Sequence, residues 1–420
     1  MVKVSKIYRI VVILALMYML RIFDLLFYST INAFRLPLNS FVVILGLLMA
    51  MTVLRMGEKN ILLREKCFIL NRYMVIYTII IIIEVINTFL SYRYSINDTL
   101  SAYIPYGYIF YAYPIVYIFH TDNSLVPLLK RALLVVLFML AVKALSWGLY
   151  LQGGIILFPS VLEQYSGWAR GGVVRLDTSY LFGIAFSVAL YFSFTSRKKR
   201  YLLIVVLMYL FVIFITQFRF LLGVMIVETG LLYYVLSLTK TKKTIRFLVL
   251  TVIIGVFCLI GGLDYVVGSF STTGQYRSST LARIETMLHY WALMVNKGAV
   301  LGLGAQAYGN STTASMMFRT ATSSYWLEDL GIMGGFFRFG VLTLPLYGTL
   351  FYYGLKTMKG LRKYSPENSL MISYGTISYM IISCIMLNIF DSQRAFNVPF
   401  DLAIISYVWW CTKHSDREEA

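Results

Sequence analysis

Twelve apolar stretches follow one another along this chain, at about 7–28, 37–56, 73–90, 102–119, 128–150, 176–195, 201–216, 219–238, 246–264, 326–355, 370–390 and 396–412. Crossing the hydrocarbon core of a bilayer takes about 20 apolar residues in a helix. None of the stretches alternates with the period of two that a lipid-facing strand requires. A helix satisfies its own backbone hydrogen bonds where no water can. The sequence therefore predicts an all-α polytopic membrane protein with about 12 transmembrane helices, a single integral membrane domain over 1–420. Composition agrees: 59% of residues are apolar and 13% charged, against about 45–50% and about 25% in soluble domains. That balance excludes an ordinary soluble enzyme, a disordered chain and a nucleic-acid-binding domain. The stretch at 7–28 follows Lys3, Lys6 and Arg9, like the head of a signal peptide, but no small-residue cleavage site follows it. It reads as an uncleaved first helix. The stretch at 326–355 is too long for one straight span and is expected to include an interfacial segment.

Lys and Arg outnumber Asp and Glu by 37 to 19, a net charge of +18. In membrane proteins cations gather in short loops on the cytoplasmic side. With the N-terminus there and twelve crossings, 24 of the 37 cations fall in cytoplasmic segments and ten in outer ones. Arg21, Lys143 and Arg338 fall within spans. Both termini are thus expected in the cytoplasm. Nine of the ten outer cations are arginines. Arginine is preferred to lysine where a planar fork grips phosphate or carboxylate.

Two outer loops are long, 151–175 and 265–325. The second contains a helical pattern, with Leu281, Ile284, Leu288, Trp291 and Met294 at i+3/i+4 spacing. It is expected to form a lid of short helices on the membrane surface. Candidate anion-binding residues are Arg170, Arg175, Arg277 and Arg283 in these loops, Arg219 in a tight outer turn, and Arg319 before the tenth span. The competing reading is snorkelling or contact with anionic lipid. His289, the only outer histidine, and Glu285, four residues earlier on the helix, are candidate general bases. Asp177, Asp264, Asp329 and Asp391 are further outer carboxylates that the sequence does not rank. Arg21 and Asp24 are spaced to pair on one helical face. Intramembrane charges such as Glu84, Lys143, Glu228 and Arg338 usually face a polar cavity or a partner.

No Walker A, HExxH or aspartate-rich motif occurs, and Gly302-x-Gly304 with Gly309 is not GxGxxG. Neither a metal nor a cofactor is expected. Cys67, Cys258, Cys384 and Cys411 form no CxxC pair and read as packed thiols.

Several stretches, in their order and spacing, resemble the O-antigen polymerase/ligase superfamily of bacterial surface-polysaccharide assembly. Arg283, then Tyr290-Trp291, then Val300-Leu-Gly-Leu-Gly304 is similar to the family's R…W…G-x-G passage in its large outer loop. Ser323-Ser-Tyr-Trp-Leu327 with Asp329-Leu-Gly-Ile-Met-Gly334 resembles the entry into the next helix. Thr216-Gln-Phe-Arg219 resembles the T-x-S-R turn, with Phe218 where Ser is usual. The ligase branch often carries a His before the helix entry. Here Thr320-Ala-Thr-Ser-Ser324 stands there, which favours a repeat-unit polymerase of capsular or exopolysaccharide type.

The resemblance implies a GT-C-like fold and metal-independent, inverting glycosyl transfer at the outer face of the bacterial cytoplasmic membrane. It implies a donor glycan on undecaprenyl diphosphate and an acceptor that is one lipid-linked repeat unit. Arginines would hold the leaving diphosphate: Arg219, Arg283 and Arg170, with Arg175, Arg277 and Arg319 behind them. Expected partners are the lipid bilayer, a flippase and a chain-length regulator. Three other readings stay open: a polysaccharide flippase or other transporter, ligase-like transfer to a different acceptor, and a non-catalytic scaffold.

Overall fold

A computed structural model describes residues 2–92, 94–162, 169–170, 173–196, 198–237, 244–245, 248, 277–305, 307, 325–387, 389–391 and 394–418. Among them the chain is helical, apart from two two-residue strands, β1 (Ala169–Arg170) and β2 (Val173–Val174), paired antiparallel. The first helices are α1 (Val2–Met19), α2 (Asp24–Ala33), α3 (Arg35–Lys59), α4 (Ile61–Lys66), α5 (Phe68–Tyr92), α6 (Ile96–Tyr103) and α7 (Ala112–Asp122). Then come α8 (Val126–Gly153), α9 (Pro159–Leu162), α10 (Phe182–Thr195), α11 (Lys199–Leu210) and α12 (Arg219–Val235). The last are α13 (Arg277–Lys297), α14 (Ile332–Phe339), α15 (Thr343–Leu361), α16 (Ile372–Ser383) and α17 (Val398–Glu418).

Among the described residues four helices are long and apolar enough to cross a bilayer: α3, α5, α8, and α11 with the turn that extends it to Thr216. The bent pair α1–α2 adds a fifth if it is one broken span. At 28 residues, α8 is about 42 Å long. The chain is a helical membrane protein. Outward faces agree: Ile79, Ile82 and Ile86 on α5 and Leu202, Leu203 and Leu207 on α11 are exposed, as lipid contact requires.

The expected stretches map onto these helices unevenly. The stretch at 7–28 is not one helix. It breaks after Met19, Arg21 takes a φ of 59°, and α2 leaves at 79° to α1. The break also separates Arg21 from the register expected of it, and the Asp24 carboxylate accepts from Arg35 at 3.0 Å. The stretch at 102–119 passes from α6 through tighter 3-10 turns over Ile104–Tyr111, where Pro105 supplies no backbone donor, into α7. The stretch at 326–355 divides into a 3-10 turn (Leu327–Leu330), α14, a second turn (Gly340–Leu342) and α15. The stretch at 246–264 and most of the loop at 265–325 lie outside the described residues; α13 is the helix of that loop that is described.

Helix contacts in lipid gain from close packing. A Cβ on Gly183 of α10 would strike the Tyr379 ring of α16, so the glycine gives that ring its place against α10. Polar ties join other helices. Arg9 of α1 pairs with Asp122 of α7, and Ser187 of α10 donates to Glu228 of α12 at 2.5 Å.

A small second core fixes α13 on α14: Tyr290, Met294, Leu303, Leu327, Leu330 and Phe337 are buried together. A backbone clasp completes the cap. Leu303 N–H donates to Phe337 O (2.8 Å), Gly304 N–H to Arg338 O (3.0 Å) and Val341 N–H to Val300 O (3.0 Å). The clasp needs glycine at Gly302, whose φ is 90° and whose Cβ would strike the Arg338 carbonyl. Gly154 also has positive φ (65°) but open space around it. Gly154→Ala is therefore expected to lower stability by about 1–2 kcal/mol, and Gly302→Ala by distinctly more, read as thermal midpoints of the purified protein. Equal shifts would contradict the clasp.

Candidate anion-binding site

One end of the helix bundle holds a cavity of about 600 Å³. That volume lies within the usual range for small-molecule sites. Its wall is built where helices stop. It contains Arg21 from the break after α1, Lys143 near the end of α8, Phe182 and Gly183 opening α10, the Thr216–Arg219 turn, and Ser383 closing α16. The cap adds Thr280 and Arg283 from α13, and Trp326 and Glu328.

Cations dominate this wall. Arg21, Lys143, Arg175, Arg219, Arg283 and Arg394 line it, against the carboxylates Asp24, Asp177 and Glu328. Each of the three carboxylates has a cation of its own. Asp24 is held by Arg35, Glu328 by Arg338 at 3.6 Å, and Asp177 by Lys143 at 2.5 Å. Arg394 pairs with Asp391 and donates to the Glu328 carbonyl at 3.2 Å. The wall therefore carries an excess of positive charge beside the low-dielectric bundle, where unit charges interact far more strongly than in water. Further donors add to it. The hydroxyls of Ser160, Ser179 and Thr216 and Nε of Arg283 are buried with no hydrogen-bond partner among the described residues. Buried polar groups are normally satisfied, so these await a ligand or water.

Asp177 differs from the other two acids. Its side chain is 39% exposed, against 5% for Asp24 and 3% for Glu328. Among the described residues it is the lining carboxylate most open to a bound molecule. Its segment is strapped at several points: Trp147 Nε1 donates to Val174 O (2.9 Å), Leu176 N–H to Ile215 O (3.3 Å) and Leu181 N–H to the Asn397 side chain (2.7 Å). Lys143 also donates to the Asp177 carbonyl at 3.2 Å.

The backbone at the cavity is irregular. Before the Arg219 turn, α11 widens into a π-helical turn over Phe211–Thr216, and the Gln217 N–H reaches back to Val212 O at 2.7 Å. Such turns recur at functional sites. Four non-glycine residues among those described have positive φ: Arg21, Asn123, Leu181 and Gln217. Arg21 and Gln217 line the cavity, and Leu181 lies between two lining residues. Left-handed backbone costs about 1–2 kcal/mol outside glycine. Strain of this kind persists where surrounding structure holds it, often at sites.

Of the six arginines read from sequence, the cavity brings together Arg175, Arg219 and Arg283. Arg170 lies on β1 and Arg277 opens α13, with side chains outside those described; Arg319 lies outside the described residues. Neither His289 nor Glu285 is among the lining residues. The reason is helical phase. At about 100° per residue, Glu285 stands about 160° and His289 about 120° around α13 from Arg283. The His289 ring instead stacks on Tyr325, centroids 4.2 Å apart. Sequence reasoning left Lys143, Arg21, Arg394 and Asp177 out of the candidate set. Their signal was present, as charges inside or beside apolar stretches. Among the described residues no three His, Cys, Asp or Glu side chains converge as metal ligands.

No protein-family model, curated protein or solved structure matches the chain. The site's chemistry therefore rests on its own geometry.

The two carboxylate pairs should respond differently to loss of the cation. Arg338→Met strands the buried Glu328 and is expected to cost about 3–5 kcal/mol. Lys143→Met leaves the half-exposed Asp177 to solvent and is expected to cost under about 1 kcal/mol. Chemical unfolding of the purified variants checks the order; a Lys143 variant as unstable as the Arg338 variant would count against an accessible Asp177.

Proposed function

We propose that the chain polymerises oligosaccharide repeat units carried on undecaprenyl diphosphate, at the outer face of a bacterial cytoplasmic membrane. The observation that carries the reading is the cavity wall, six cations to three carboxylates, five of the cations being arginines. A lipid diphosphate is the ligand whose charge such a wall complements, and its sugars fit a 600 Å³ cavity. The proposed topology has twelve crossings, with both termini cytoplasmic. It agrees with the cavity being built from the ends of α1, α8 and α16 and the starts of α10 and α12, which twelve crossings put on one side. The family resemblance supplies the carrier, the metal independence, and the flippase and chain-length regulator as partners.

In the proposed reaction, the acceptor hydroxyl attacks the donor's anomeric carbon from the face opposite the diphosphate. The new C–O bond forms as the bond to the diphosphate oxygen breaks. That oxygen leaves with the electron pair, and Arg175, Arg219 and Arg283 stabilise the developing charge. Preplaced charges of this kind contribute in proportion to the charge that appears in the transition state. The hydroxyl proton passes to Asp177, the reachable carboxylate, which Lys143 positions. His289 and Glu285, the bases expected from sequence, have no part in this scheme.

The test is reconstitution with lipid-linked repeat units in EDTA. A ladder of polymer is expected from the wild type. Arg219→Ala with Arg283→Ala is expected to slow it at least about 10²-fold, and Asp177→Asn about 10²–10⁴-fold. A requirement for metal, or full activity in the double arginine variant, would sink the proposal. A protein that moves repeat units across vesicles without joining them would be a transporter.

A further inference from the structure

We propose that the opposite end of the bundle carries a binding site for the headgroup of an anionic phospholipid. A second cavity of about 450 Å³ lies there, between the start of α8, the end of α10 and the start of α11. Lys130, Lys198 and Arg200 line it, with a single carboxylate, Glu367. No ion pair joins any of the three cations to a carboxylate among the described residues, and Glu367 forms none either. The aromatic rings in the wall orient the cations. Lys130 Nζ stands 4.4 Å from the Phe192 ring centroid, and the Arg200 guanidinium 5.1 Å from that of Tyr201.

The backbone adds to this field. Both α8 and α11 begin at the cavity; the first N–H of α8 is met by Ser124 Oγ at 3.2 Å and Pro127 has none, so it is α11, uncapped by the Lys198 side chain, that offers open donors. Helix N-termini present open N–H groups and the positive end of the helix dipole. The ligand chemistry is therefore that of a phosphate group.

The surroundings decide its source. Directly after Arg200 and Tyr201, the face of α11 carries exposed Leu202, Leu203, Val206 and Leu207. A phosphate in this cavity sits beside hydrocarbon-facing side chains, so a phosphodiester headgroup can enter while its acyl chains lie along α11. A soluble phosphate would gain nothing from that face. Basic pockets between helices at the membrane surface are suited to such headgroups. The inference needs only that the chain is a helical membrane protein. It is independent of the reaction proposed at the other cavity.

Native mass spectrometry of the full-length protein, incubated with an equimolar mixture of phosphatidylglycerol and phosphatidylcholine, reads the site directly. The wild type is expected to retain phosphatidylglycerol in roughly tenfold preference, a modest share of what three surface cations supply. Lys130→Gln with Lys198→Gln and Arg200→Gln should bring the ratio close to one. Lys198→Gln alone, at an exposed position, should give an intermediate ratio and guards against misfolding of the triple variant. A control triple, Lys59→Gln, Arg64→Gln and Lys356→Gln, removes equal charge away from the cavity and should keep the preference. Millimolar inorganic phosphate should not displace the lipid. Parity in the wild type, equal loss in the control, an unchanged ratio in the cavity variants, or displacement by phosphate would each overturn the proposal.

Discussion

Excess positive charge around one cavity is the constraint on which the rest of this structure depends. Two like charges about 4 Å apart repel by about 4 kcal/mol at the effective dielectric of a protein near its surface. Six cations are nevertheless gathered on one wall with three acids. The fold lowers the penalty by pairing two of them with acids, Lys143 with Asp177 and Arg394 with Asp391. Each lining acid also has a cation of its own. What remains is a wall suited to an anion, and the ligand proposed for it is one that carries a sugar.

Much of the irregular backbone serves this arrangement. The break in the first apolar stretch delivers Arg21 to the wall. The π-helical turn and the left-handed Gln217 aim Arg219 inward from a tight reversal. On the cap, the small core around Tyr290 and Phe337 fixes the rotation of α13, and that rotation decides that Arg283 faces the cavity while Glu285 and His289 do not. The acid available to a bound molecule comes from another segment, strapped to α8 by the Trp147 and Lys143 side chains and to the turn that extends α11 by a backbone hydrogen bond. Binding charge thus comes from several elements, and Arg175 shares the strapped segment with the candidate base, Asp177.

The membrane class of the fold was legible because apolar length is a local property. So was the unusual share of arginine among the cations expected on the outer side. Three of those arginines converge on one cavity, and Arg394, part of the same count, joins them. Helix breaks were less legible. Leu20–Phe23 is as apolar as its neighbours apart from Arg21, so its 79° bend has no local mark in the sequence. The direction of α13 was not legible for a related reason. A histidine four residues from a glutamate marks a helical face but not the direction in which the tertiary fold turns it. Asp177 could not be singled out from sequence because its value lies in exposure. Its partner, Lys143, lies 34 residues earlier.

The central claim is that the arginine cavity holds the diphosphate of a lipid carrier. Photo-crosslinking with a prenyl diphosphate that carries its reactive group next to the phosphates tests it most directly. The account requires adducts on the segments around Arg175–Gly183, Thr216–Leu221 and Thr280–Arg283, competed by unlabelled prenyl diphosphate. Adducts confined to the opposite end of the bundle, or labelling that unlabelled ligand does not reduce, would contradict it.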